Sequence, residues 1–340
     1  MSQQEIRLQN ALDAALQRYE DRVGAAFPVA VNLAVLEDIA FYAAVFPEGD
    51  GILIEATTGV VDAIALTWHT ALGISADLPE GTGIDLLGGP QHPVDMALRW
   101  LMQHELNHYA IGHFSLTDGA GLLEAGSRTV FGAVARLDLR GSPLHALSPQ
   151  ERRLAPLCLE LQTDHDATEI VLGAYSSENW VLFRYYATCI LSVILLIERE
   201  ERNAGNSGET HPWAATRMFM LLGHLAELPM IPAYFRAASE GLESIPSEYL
   251  PDDKEMEGYN IEVVSRVFAS GQILADAAGL SDLWTEMGSL QSLLADIDRA
   301  VREGARDATA FGTRGARQWA DLKPLNDRLL SVIKPIGLPD

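Results

Sequence analysis

PVDMALRWLMQHELNHYAIG, residues 93–112, decides how the rest of the chain is read. Proline suits the first turn of a helix. Met96, Leu98, Leu101 and Met102 then supply apolar surface ahead of the polar residues. The pattern predicts a helix over about 94–112. Its second half carries His104-Glu105-Leu106-Asn107-His108, an H-E-x-x-H spacing. Positions i and i+4 lie one turn apart on the same helix face. Two imidazoles so placed can grip one zinc ion, and Glu105 can reach a water held by it.

A catalytic zinc takes three protein ligands and keeps one position open. Three places could supply the third. His113 follows His104 by nine residues, which on a continuous helix turns about 900° and points it to the opposite face. The metzincin spacing would need glycine at 111 and histidine at 114, where this chain has Ile111 and Phe114. His113 therefore reads as a helix-end residue or one that supports a ligand from behind. The second place is Glu160-Leu161-Gln162-Thr163-Asp164, in a helix expected over about 149–172. Glu160 and Asp164 share a face, so glutamate can bind the metal while aspartate accepts the far N–H of a ligating histidine. The third place, His165 with Asp166, points elsewhere on that helix. Glu160 is the favoured third ligand. Its plainer alternative is a charged residue near Arg152 or Arg153 on a solvated face.

Composition narrows the classes. The net charge is −23, and no long basic run gives the face that a nucleic-acid partner requires. Alanine and leucine are frequent and aromatic residues scarce, which favours helix over sheet. The only two cysteines, Cys158 and Cys189, sit in apolar runs and form no C-x-x-C pair. They read as reduced core thiols, and the expected localisation is cytoplasmic. Ser2 and Glu5 form a capping-box pattern, with no apolar leader behind them. One segment, Trp180 to Ile197, invites a membrane assignment. Arg184 interrupts it, and its uncharged part is shorter than the roughly 20 residues a span needs, so a buried helix is expected.

Outward from the motif, Pro28–Leu36 is apolar and suits either a strand or a buried helix, while residues 37–47 look helical. Glu48-Gly49-Asp50-Gly51 signals a turn, and Ile52–Ala56 a short strand. Helices are expected over about 60–73, from Arg128 to Leu139, from Ser148-Pro149-Gln150-Glu151 onward, over 178–202, and from Trp213 to Leu228. The fold class is mainly α, an α+β chain with a small sheet. Residues 1–238 are expected to form the catalytic domain. Residues 239–260 form an acidic loop or linker that could gate the site, and 261–340 a C-terminal helical region packed on the core.

The order of the motifs carries a resemblance. His104-Glu105-Leu106-Asn107-His108, then Glu160-Leu161-Gln162-Thr163-Asp164, then His211-Pro212 with Arg217, resembles the gluzincin metallopeptidases. Among these it is similar to the HtpX and CaaX-prenyl-protease group, which has H-E-x-x-H, a later E-x-x-A-D and a still later H-P-x-x-x-x-R. Thr163 replaces the usual alanine. That group is largely membrane-embedded, whereas clear spans are not read in this chain. The stretch from Gly51 through Gly59 into the motif helix also resembles, less closely, the soluble phage-exclusion (Lit-type) peptidases. The resemblance covers about residues 95–220. It implies a zincin-like core with additional helices, with His104, His108 and Glu160 as zinc ligands and Glu105 as catalytic base. It also implies His211 and Arg217 as contacts to substrate or transition state.

The expected function is a zinc-dependent endopeptidase acting on a protein or peptide, with Glu105 as general base toward a metal-activated water. His211 would donate to the oxyanion, and Arg217 would orient it or bind substrate. A zinc-stabilised regulatory or protein-binding module without catalysis is the alternative, followed by a helical interaction protein without metal. His69, His145 and His224 read as ordinary core or surface histidines.

Overall fold

Ser2 starts the first helix, α1 (Gln3–Val23), by the reciprocal pairing its sequence announces. The Ser2 hydroxyl accepts from the Glu5 N–H, and the Glu5 carboxylate accepts from the Ser2 N–H. The structure is a computed structural model describing residues 2–82, 92–117 and 143–333. The helix expected from Arg128 to Leu139 lies outside the described residues.

Three strands follow: β1 (Val31–Leu36), β2 (Ala43–Glu48) and β3 (Gly51–Thr57). Their order is β1-β3-β2. β1 runs parallel to β3, and β2 antiparallel to it. The helix expected over 37–47 is thus a loop and a strand. Alanines there suggest helix, but the two-residue turn Gly49-Asp50 brings Glu48 opposite Gly51 and lets Ala43–Glu48 pair along β3. Gly49 meets the turn with φ +57°. α2 (Thr58–Ala76) leaves the sheet directly. A Cβ at Gly59 would collide with the Ile39 carbonyl, so glycine lets the 38–40 loop lie against the start of α2.

α3 (Pro93–Ala110) is the motif helix, and it is buried on nearly every side. It packs against α1, α2, α4 (Pro149–Leu172) and α5 (Trp180–Ala204). α4 opens with the capping box of Ser148 and Glu151 and runs on through Pro156. α5 lies in the middle of the core: Phe183, Ile190, Leu191, Val193 and Leu195 are buried, and Trp68 donates to Ser192 Oγ at 3.1 Å. By length and hydropathy alone, three stretches among the described residues could cross a membrane: Thr58–Ala76, Ser177–Ala204 and Ala214–Ser239. The sequence singled out only the second, and that one has the largest share of its apolar window inside the protein.

α6 (Ala214–Glu227) and α7 (Ile231–Ser239) lead to the acidic stretch, which contains the short helix α8 (Asp253–Tyr259). The chain passes residue 260 without a break, through a π-helical turn (Asn260–Ser265) into α9 (Arg266–Ala277). Arg184 reaches that turn from α5 and donates to the Glu262 carbonyl at 3.2 Å. α10 (Leu283–Met287), α11 (Leu290–Glu303) and α12 (Arg314–Leu330) complete the described chain. α12 packs on α4 and α6. There Leu322, Leu325 and Leu329 meet Ala155, Leu157, Cys158 and Leu161 in a second, smaller core.

His224 on α6 gives this packing a pH signature. Its Nε2 is buried without a hydrogen-bond partner. Burial, with the nearby His165 ring adding to it, pulls its pKa down from 6.5 to about 4. The unfolded chain therefore binds the extra proton between pH 6.5 and about 4, and the folded protein loses stability as pH falls through that window. Denaturant unfolding should show wild type declining more steeply than His224→Gln below pH 6.5, and in parallel with it above.

Candidate metal centre

His92 caps α3 by accepting from the Val94 N–H, and Pro93 takes the first turn. This start, with the apolar residues that bury the helix, turns His104 and His108 toward α4. From α4, Glu160 and Asp164 face back one turn apart. Thr163, between them, buries its hydroxyl by donating to the Leu159 carbonyl at 2.7 Å. The polar exchange at that position is thereby satisfied within the helix.

His104, His108 and Glu160 each offer one donor atom, and these lie within 4.8 Å of one another. His104 Nε2 is 3.2 Å from Glu160 Oε2, and His108 Nε2 is 3.3 Å from Glu160 Oε1. A tetrahedral ion with bonds of about 2.0–2.1 Å sets its ligand atoms about 3.3–3.4 Å apart, close to the separation of each histidine from its nearer Glu160 oxygen. All three side chains are buried. Glu160 Oε2 has no hydrogen-bond partner, a costly state for a buried carboxylate oxygen unless a cation satisfies it. This group could hold a metal ion.

The charges around it agree. Burial alone would lower the metal-free His104, but Glu160 and Asp164 outweigh it and raise its pKa to about 10. Burial would raise Glu160, yet the rings of His211, His104 and His108 hold it well below the usual carboxylate range. The pocket favours a cation, whether proton or metal.

Each of the two histidines has a polar side chain behind it. His104 Nδ1 lies 3.0 Å from Asp164 Oδ1, although its N–H does not aim along that line. His108 Nδ1 lies 3.0 Å from His113 Nδ1. His113 thus sits behind a ligand, on the short 3-10 turn His113–Thr117. Arg217 has a different place from the one expected. It is buried on α6, and its guanidinium grips Asp164 with Nε at 2.6 Å from Oδ2 and Nη2 at 2.7 Å from Oδ1. It braces the support of His104 and does not line the cleft.

That cleft measures about 300 Å³. Glu105, His104, His108, Glu160 and His211 line it, with Phe41, Tyr42, Leu101 and Ile197 as apolar walls. Glu105 is buried there, and burial raises its pKa. His211 is about a quarter exposed, with Nε2 3.4 Å from Glu160 Oε2. Burial would lower its pKa, but Glu160 and Glu201 outweigh it and raise it. A larger cavity of about 540 Å³ lies on the other side of α4, lined also by α6, α11 and α12. None of His104, His108 and Glu160 lines it, nor do Glu105 and His211, whereas all five line the smaller cleft.

Sequence reasoning missed Glu201. Its carboxylate accepts from His211 Nδ1 at 2.7 Å, from the His211 N–H at 3.0 Å and from the Thr210 hydroxyl. Three residues earlier, Glu198 accepts from the Ala214 N–H at 2.8 Å and so caps α6. The signal was there: two acids three apart, on one face, closing an apolar helix just before the His211 loop.

The other residues are secondary. His165, Asp166 and Glu169 form a second group within metal-holding reach, but it is more exposed. His69 is exposed. The side chain of His145 lies outside the described residues. Cys158 and Cys189 are buried free thiols, and burial pushes Cys158 up to about 12 and Cys189 higher.

No protein-family model, curated protein or solved structure matches the chain.

Proposed function

We propose that the chain is a soluble zinc-dependent endopeptidase of the gluzincin type, acting on a protein or peptide. One observation carries this reading: the H-E-x-x-H histidines and Glu160 bring three buried donor atoms within 4.8 Å of one another while Glu105 lines the same cleft. When bound, zinc supplies Lewis acidity, acidifying a water and polarising a carbonyl. Glu105 takes the proton from the attacking water and returns it to the leaving amine. Burial raises the pKa of Glu105, which makes it a stronger base toward that proton. His211, anchored through Nδ1 on Glu201, keeps Nε2 toward the cleft as a donor to the oxyanion. Ala40–Ala43 line the cleft at the entry to β2, an edge strand of the sheet. An extended peptide laid along this wall suits that shape, with a side chain against Phe41, Tyr42 and Ile197. The cytoplasm suits two free thiols.

The test is cleavage of an unfolded protein such as casein by the purified chain. Cleavage should stop with 1,10-phenanthroline and return with zinc. Cleavage that survives full removal of metal contradicts the proposal.

A further inference from the structure

Behind His108 runs a chain of polar contacts, buried except at its last, half-buried link, that ends on α12. His108 Nδ1 lies 3.0 Å from His113 Nδ1, and His113 Nε2 lies 3.0 Å from Gln162 Oε1. Gln162 Nε2 then donates to Asn326 Oδ1 at 2.8 Å. His113 is fully buried and Gln162 nearly so.

The hydrogens along this path follow from the placement of the Gln162 amide, with Nε2 on Asn326 and Oε1 on His113. A carboxamide oxygen only accepts, and a carboxamide nitrogen only donates. With Gln162 Nε2 spent on Asn326, Oε1 is what faces His113. His113 must then carry its hydrogen on Nε2. A neutral imidazole has one N–H, so His113 Nδ1 presents a lone pair. His108 Nδ1–H donates to it, which leaves His108 Nε2 as the electron-pair donor beside Glu160. Turn the Gln162 amide over and every assignment reverses. His108 would then point an N–H at the metal position.

We infer that Asn326, acting through Gln162 and His113, fixes His108 in the tautomer that binds metal. Asn326 is a positioning residue about as far along the chain from the motif as the described structure extends. Packing puts it there: Leu322, Leu325 and Leu329 seat α12 on α4, which sets Asn326 opposite Gln162. Gln162 and Asn326 also border the 540 Å³ cavity, so the relay lies at its wall. The inference rests on His104, His108 and Glu160 being the metal ligands, and it adds a dependence on α12 that the ligand set alone does not imply.

Two measurements test it. In metal-free wild-type protein labelled with ¹⁵N-histidine, long-range ¹H–¹⁵N spectra should show His113 protonated at Nε2 and bare at Nδ1. In a competition titration with a chromogenic chelator, Gln162→Leu and Asn326→Leu should bind zinc at least roughly tenfold more weakly than wild type. Asn326→Asp keeps an acceptor for the Gln162 amide and should stay within about threefold of wild type. A His113 bearing its hydrogen on Nδ1 overturns the inference. So does an Asn326→Leu variant that binds zinc as wild type does, or an Asn326→Asp variant that fails equally. If wild type itself takes up no zinc, the ligand assignment falls, while the His113 spectrum still decides the direction of the relay.

Discussion

Glu105→Gln should lose proteolysis by about 10²–10⁴-fold, the range set by a positioned general base, while keeping its zinc. Glutamine matches the volume of glutamate and can still hydrogen-bond in the cleft, but it cannot take a proton from water. Glu105 is not one of the three clustered donors, so the metal should stay. The two readouts separate the readings. Lost cleavage with zinc retained is expected of an enzyme. Full cleavage in Glu105→Gln removes Glu105 from the chemistry. A structural metal site would leave the variant folded and its function intact, and would unfold the protein on chelation.

The second large effect is expected at Arg217. Arg217→Met strips the buried Asp164 carboxylate of its bidentate partner. Breaking such a pair from one side costs about 3–5 kcal/mol, because the remaining charge stays buried. Asp164 also stands behind His104, so zinc affinity should fall about 10–100-fold. Arg217→Lys should rescue only part of this, since an ammonium cannot reproduce the paired Nε and Nη2 contacts. A substrate-binding arginine behaves differently: its loss raises KM and spares stability and zinc. Denaturant unfolding, zinc titration and steady-state kinetics on the one variant distinguish the two roles. An unchanged unfolding midpoint with a raised KM would return Arg217 to the substrate.

Parts of the site that obey local periodicity were legible in the sequence. His104 and His108 repeat at i, i+4, as do Glu160 and Asp164, and helical geometry alone puts each pair on one face. Ser148-Pro149-Gln150-Glu151 announced the start of α4 in the same way. What periodicity does not state is which face meets which. Arg217 pairs with Asp164 across 53 residues, a packing choice between α4 and α6 that the spacing within either helix leaves open. Gln162 meets Asn326 across 164 residues for the same reason. Glu201 was hidden differently, inside a charged run that reads as the solvated end of an apolar helix. The 37–47 error is the reverse case: helix propensity was real but local, and the hairpin with β3 outweighed it. Arg217 and Gln162, whose partners no local rule gives, contact the residues that stand behind His104 and His108.

The most direct measurement is anomalous scattering at the zinc edge from crystals of the zinc-loaded protein. The expected result is one peak within about 2.0–2.2 Å of His104 Nε2, His108 Nε2 and a Glu160 oxygen. A map with no peak there, or with its only peak at His165, Asp166 and Glu169, would contradict the assignment.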